Sequence, residues 1–378
     1  VKFESAAEGF VRQFGCRPAL ISRAPGRINL LGGHTDYNHG LALPAAIDRH
    51  VVLALSPRED GRVRIWSEDF SEGLEFCIGE APSPESLWQR YVLGALSVFP
   101  EDPPSGFDAY FTGDVPLGSG LSSSAALLVA WMNAMRTWTG SDLDDLAICA
   151  LCQKVEHLHL GVQCGLLDPI GSLCPQPGAV MRVDFSDLSL RNVNAPMDGL
   201  SWVVLHTGVH RSLAASAYGQ RVEECASEIA ALREAHEGVE TVRDLSLSMV
   251  QGTSVGQRRL RHVLAENSRV ESGVAALEAG RPEELGGLLL AAHASLRDDY
   301  QVSCIELDTL VEIAASKPGC LGGRMMGGGF GGCTLNLVAT NCADSMMKTT
   351  LEEYNRATGK KGRGFVVRLV SGAEVQLF

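Results

Sequence analysis

Apolar residues recur along this chain at two spacings, one suited to strands and one to helices. Residues 41–47 and 51–55 are aliphatic and β-branched runs, separated by Asp48-Arg49-His50. Residues 62–66 alternate polar and apolar positions, as a half-buried strand does. Residues 19–22 read as a strand that enters a loop at Arg23-Ala-Pro-Gly-Arg27, so the first third is mostly β. Past a Gly- and Ser-rich turn at 113–124 the period lengthens. Residues 125–138 form an apolar helical run. Across 142–161, Leu143, Leu146, Ala147, Ala150, Leu151, Val155 and Leu158 recur at threes and fours, with Gly161 as the stop. Residues 213–233, 258–279 and 282–298 read as helices, and 333–338 and 365–370 as strands. A polar, turn-forming stretch at 186–194 places a boundary between lobes spanning 1–190 and 191–378. The fold class is α+β.

Composition adds limits. A chain of 378 residues with 45% hydrophobic and 20% charged residues suggests two ordinary globular domains that need no covalent staples. The net charge of −13 argues against nucleic acid and anionic membrane surfaces as partners. It also means that any polyphosphate must be gathered by local geometry against a repulsive field. Residues 1–15 lack the apolar region of a secretory signal, and stretches such as 125–132 fall short of the roughly 18–20 residues of a membrane span. Eleven cysteines, an odd number scattered through apolar segments, fit a reduced cytoplasmic setting. Cys149 and Cys152 sit within a helical pattern with no second pair at zinc spacing, and read as core thiols.

The segment from Pro116 to Ala126 offers the local geometry. Gly118, Ser119, Gly120, Leu121, Ser122, Ser123 and Ser124 lead directly into a helix. Glycines let backbone approach phosphate closely, and a helix N-terminus aims unpaired N–H groups and a partial positive charge at an anion. No Lys follows the last glycine, so this is not a Walker A loop. By residue type alone, a Ser-capped helix after a flexible turn fits equally well.

Three segments together narrow the choice: Gly26-Arg-Ile-Asn-Leu-Leu-Gly-Gly-His34-Thr35-Asp36-Tyr37-Asn38, residues 113–126, and Gly322-Gly-Arg-Met-Met-Gly-Gly-Gly-Phe-Gly-Gly332. They resemble the three motifs of the GHMP small-molecule kinases, and the His34 to Asn38 run resembles the galactokinase branch. Resemblance continues through Trp88 to Tyr91, Cys152-Gln-Lys-Val-Glu-His157, Cys164-Gly-Leu-Leu-Asp168, Ser212 to Tyr218 and His293 to Asp308, in order over nearly the whole chain.

That resemblance implies two lobes: an N-terminal one like ribosomal protein S5 domain 2 and a C-terminal ferredoxin-like one. It also implies transfer of the γ-phosphoryl group of ATP to the anomeric hydroxyl of galactose. By their match to the motifs, Asp168 is the base and Arg27 steadies charge on the transferring group. Ser124 and Glu156 hold Mg²⁺, and Gly33, His34, Thr35, Asp36 and Tyr218 line the sugar site. Ser67 and Trp88 lie on the adenine side, with the serine turn on the phosphates. The glycines of the third motif back the phosphate cradle. The implied partners are the sugar and ATP alone, and the implied state is a monomer, with a weak dimer as the alternative. Read by residue type only, Asp168-Pro169 also suits a helix N-cap, Glu156 a helix-end carboxylate paired with Lys154 or His157, and Trp88 a core position. His157 and His159, two apart on a helix, cannot share a metal and read as structural.

Two positions depart from the family pattern. Pro169 replaces the usual Gln, which affects the placement of Asp168. Gly33 replaces a Glu that normally accepts from the sugar C6 hydroxyl, a bond of roughly 1.5–3 kcal/mol. A weaker galactose KM, a pentose such as L-arabinose, or a uronate such as galacturonate would each fit, with His39 as a cationic partner for the acid. A non-catalytic sugar sensor is the competing class; intact Ser122, Glu156, Asp168 and Arg27 oppose it.

Overall fold

The computed structural model describes residues 3–80, 82–196, 198–209 and 214–378, without the side chains of 214–216. Val1, Ser212 and Leu213, at which expected segments begin, lie outside the described residues.

A six-stranded sheet runs in the order β13 (Glu374–Leu377), β1 (Leu20–Asn29), β3 (Pro44–Arg58), β6 (Gly106–Gly113), β4 (Arg62–Ser67), β5 (Glu72–Cys77). A three-stranded sheet joins β2 (Leu41–Ala42), β7 (Ala179–Asp184) and β8 (Ser189–Asn194). A four-stranded antiparallel sheet is ordered β10 (Cys320–Met326), β11 (Cys333–Ala339), β9 (Leu200–His206), β12 (Arg363–Val367). Helices α1 (Phe3–Phe14), α2 (Leu87–Val98), α3 (Ser123–Thr139), α4 (Asp145–Val155) and α5 (Leu167–Leu173) belong to the first half. The second half contributes α6 (Ala214–Ala235), α7 (Val255–Glu278), α8 (Pro282–Asp298), α9 (Ile305–Ala315) and α10 (Ala343–Thr358).

Helix α3 is apolar nearly all round and is buried from Ala125 to Met135, as the central helix of a core must be. One continuous hydrophobic cluster reaches from Leu20 and Trp131 to Leu289 and Leu335, so both halves share a core. Cys149 and Cys152 lie within it, and the cysteines form no disulfide among the described residues.

Three expectations change here. The loop read at Arg23 to Arg27 is strand: β1 continues through Pro25 and Gly26, with a register shift between Pro25 and Arg27 against β3. A bulge lets a strand absorb these residues and re-aims the side chain that follows. Asp48-Arg49-His50 likewise does not break β3, because these residues sit half-buried where the strand crosses from one covered stretch to another. Residues 189–194, read as polar turn, pair along β7, their polar side chains facing solvent. The last strand, β13, leaves the second half and pairs with β1.

Candidate active site

A cavity of about 300 Å³ lies between the serine turn, the loop after β1, the end of α4, the start of α5 and the glycine loop after β10. The bulge in β1 sends Arg27 into it, 3% exposed. Arg27 donates from Nε (2.9 Å) and Nη2 (2.5 Å) to Asp168 Oδ1, and from Nη1 to the Gly120 carbonyl at 2.6 Å. The other carboxylate oxygen, Oδ2, accepts from Ser122 Oγ at 2.5 Å. Asp168 is therefore bridged between a buried guanidinium and the N-terminus of α3. It occupies the first turn of α5, whose N-cap is Leu166, so the capping alternative for Asp168 does not hold.

Ser122 sits at the N-cap of α3 in the left-handed region, φ 60°, and its side chain makes no capping bond. The simple Ser-capped helix is thus excluded, because the hydroxyl is spent on Asp168. Gly118 (φ 67°) and Gly120 (φ 78°) shape the turn. Ser119 is buried and bonds Pro116 O at 2.6 Å, and Leu121 is buried, its carbonyl accepting from Arg27 N. Ser123 opens the helix, and Ser124 lines the cavity.

Glu156 begins a π-type turn, Glu156–Leu160, that ends α4 at Gly161, φ 71°. Such turns widen a helix locally and re-aim side chains. Burial, then the charge of Asp168, raises the Glu156 carboxyl to about 7, and the nearby Ser124 hydroxyl and Tyr91 phenol pull it back. Neither Lys154 nor His157 partners it: the His157 ring bonds Cys164 O at 2.9 Å, and His159 bonds Ser97.

In the loop after β1, Asp36 is raised to about 6, chiefly by burial and then by Asp168, against the N–H groups of Leu167 and Tyr37. An added Cβ on Gly165 would stand 2.0 Å from Asp36 Oδ2, so that glycine admits the carboxylate. His34, with φ 61°, shares a hydrogen bond with Tyr37 OH at 2.7 Å, and its ring packs on Tyr218 and Tyr300. His34, Asp36 and Tyr218 all line the cavity, as do Gly327 and Gly328.

The geometry does not bring every expected residue to the cavity. Thr35 is buried behind the wall, its hydroxyl donating to Gly32 O (3.0 Å) and Leu41 O (2.7 Å) to close the loop. Trp88 is 3% exposed, donates to Glu72 at 2.7 Å and packs on Phe111. Ser67 is fully buried and is Phe111's neighbour across the sheet. Both stand off the cavity. His39 is exposed at a left-handed turn, φ 54°, and does not line the cavity, so it cannot act as the cationic partner envisaged for a sugar acid.

Sequence reasoning passed over Tyr91, Gly165, Arg324, His262 and Glu266. Tyr91, Gly165 and Arg324 lay inside stretches already singled out. Glu266 is fully buried; its Oε1 accepts from Gly32 N (2.8 Å), Gly33 N (3.2 Å) and Arg324 Nη1 (3.3 Å), and its Oε2 from Arg269 at 2.6 Å. Burial favours its neutral form, but Arg324 and Arg269 outweigh this and hold it near 2. One turn earlier, His262 bonds Gly33 O at 3.0 Å and Ser295. Helix α7 thus grips the backbone of the loop that carries His34 and Asp36.

Comparison with known proteins places the chain in a family. The galactokinase galactose-binding signature matches residues 8–57, the N-terminal GHMP kinase domain 90–176 and the C-terminal one 274–341. A galactokinase of Roseiflexus sp. is 37% identical over 97% of this chain and 95% of its own. Human galactokinase is 37% identical over 98% and 95%. Lactococcus lactis galactokinase, crystallised with galactose, superposes with a TM-score of 0.91, 31% identity and 98% and 99% coverage. A mevalonate kinase, 18% identical with a TM-score of 0.65, shares the fold. Fold and site thus define a two-lobed GHMP kinase. Within that class, the chain belongs to the galactokinase family. No helix among the described residues is long and apolar enough to cross a membrane.

Proposed function

We propose that the protein transfers the γ-phosphoryl group of ATP to the anomeric hydroxyl of galactose, giving galactose 1-phosphate and ADP. The observation that carries this reading is Asp168, held between Arg27 and Ser122 at the N-terminus of α3, in the cavity that His34, Asp36 and Tyr218 also line. Phosphoryl transfer asks mainly for positioning and charge stabilisation. The sugar ring rests against His34 and Tyr218, and Asp36 accepts from its hydroxyls. Asp168 takes the anomeric proton as the sugar oxygen bonds to the γ-phosphorus and the bond to the β-phosphate oxygen breaks. Arg27 holds the Asp168 carboxylate with two donors and lies where negative charge gathers. The serine turn and the helix N-terminus hold the phosphates without net positive charge.

Glu156 and Ser124 suit a hard cation: a half-buried carboxylate, raised to about 7 and without a cationic partner among the described residues, stands beside a hydroxyl. They would hold Mg²⁺, which when bound neutralises phosphate charge.

Asp168→Asn tests the reading directly. We expect kcat for ADP release to fall about 10²–10⁴-fold with the circular dichroism of the fold retained; near-normal turnover removes the base assignment. One observation favours galacturonate as a second substrate: Arg324 Nη2 lies 2.4 Å from the place of a Cβ on Gly33, so a sugar carboxylate there would meet a cation instead of an acid. An ADP-release panel over galactose, L-arabinose and galacturonate separates the two, and highest kcat/KM with galacturonate would displace galactose.

A further inference from the structure

Gly33 is not required by its backbone, which lies outside the left-handed region. Space requires it. An ideal Cβ there would stand 2.4 Å from Arg324 Nη2 and 3.4 Å from Leu296. Arg324 comes from β10, in the other half of the chain, and is 1% exposed. Its Nε donates to Met325 O at 3.0 Å, and its Nη1 to Leu30 O at 2.9 Å and Glu266 at 3.3 Å. Nη2 is the remaining nitrogen, and it takes the volume a residue-33 side chain would fill, in the wall shared with His34, Asp36 and Asp168. The same Glu266 oxygen that holds Arg324 also accepts from the Gly32 and Gly33 N–H groups. One buried carboxylate therefore fixes the loop backbone and the guanidinium in register. A planar donor anchored on two of its three nitrogens loses little freedom when the third binds.

We propose that Arg324 is a specificity-determining residue of the sugar site: its Nη2 donates to a ring substituent oxygen other than the anomeric one, and Glu266 positions it. This rests on the sugar-kinase reading. A guanidinium has no acceptor, so the oxygen it meets must accept. That selects sugars with a hydroxyl or carboxylate oxygen at one ring position, and the position is the unknown the experiment reads.

Steady-state KM would be measured for galactose and the four monodeoxygalactoses lacking the oxygen at C2, C3, C4 or C6. The enzymes are wild type, Arg324→Lys and Gly33→Ala, each checked by thermal unfolding. Gly33→Ala keeps the charge and only displaces Nη2, which covers the case in which Arg324→Lys folds poorly. With wild type, we expect at least one deoxy sugar to raise KM about ten- to a hundredfold, the range of a hydrogen bond to a charged group. In the variants that penalty should shrink to about twofold for one deoxy sugar and persist for the others, while KM for ATP stays within about twofold. A purely structural role for Arg324 would shift all five sugars alike. A wild type active on galactose whose deoxy penalties are unchanged in both variants, or altered uniformly, overturns this assignment alone. A wild type silent toward every sugar overturns the kinase reading and this assignment with it.

Discussion

Asp36 shows how burial and a neighbouring charge can tune a single carboxylate for recognition. Its carboxyl is raised to about 6, first by burial and then by Asp168. A raised acid is protonated at the lower edge of the working range, and a protonated acid accepts less well from sugar hydroxyls. KM for galactose should therefore rise as pH falls through about 6, and Asp36→Asn should remove the part of that dependence owed to this carboxyl while raising KM throughout. The linked stability has the opposite sense: a raised folded-state carboxyl favours the fold at low pH and loses that contribution as pH rises through about 6. Glu266 poses the complementary case. Removing its charge leaves the buried Arg324 and the half-buried Arg269 without this counter-ion, and Glu266→Gln should cost about 3–5 kcal/mol in urea unfolding. A loss under about 1 kcal/mol would show that the loop does not depend on it.

At the scale of elements, the site is assembled from irregularities in otherwise regular structure. The bulge in β1 aims Arg27, the π-type turn ending α4 aims Glu156, and the left-handed Ser122 frees a hydroxyl for Asp168. The first of these is where local rules misled the reading of the sequence. Pro25-Gly26 looks like a loop because both residues ordinarily weaken a central strand. The strand persists because the bulge absorbs them and because Gly26 fits beneath Leu121 O, 2.8 Å from where a Cβ would stand. The serine turn and the two main helices after it were legible, since their signals are short-range: glycines, a hydroxyl run, a three-four apolar period. The segment before α5 offers a sharp test. Gly165→Ala should push Asp36 aside and raise KM for galactose tenfold or more, with kcat/KM for ATP at saturating sugar less affected. At Gly161, by contrast, a Cβ meets open space, and Gly161→Ala should cost only the backbone strain of about 1–2 kcal/mol. Equal effects of the two on galactose KM would refute the crowding argument.

Over the whole molecule, the active site depends on contacts between residues far apart in sequence. Asp168 meets Arg27 across 141 positions, and Arg324 meets Leu30 across 294. No periodicity reports such pairs, which is why the motifs could be recognised while Glu266 and His262, on a plain helix of the second half, were missed. Thr35 lies behind the cavity wall for the related reason that a motif fixes neighbourhood, not the direction of each side chain. The return of β13 to β1 and the hydrophobic cluster common to both halves tie the molecule together. Unfolding should accordingly be a single transition, with near- and far-ultraviolet circular dichroism midpoints coinciding. Two resolved midpoints would mean that the halves fold separately.

In the proposed reaction Asp168 meets the anomeric hydroxyl of a sugar while the α3 N-terminus presents the phosphoryl group. Phosphorus NMR of the product of ATP and galactose tests this most directly. We expect a single sugar phosphate coupled to the anomeric proton, formed one-for-one with ADP. Phosphate on another hydroxyl, or inorganic phosphate alone, would contradict it.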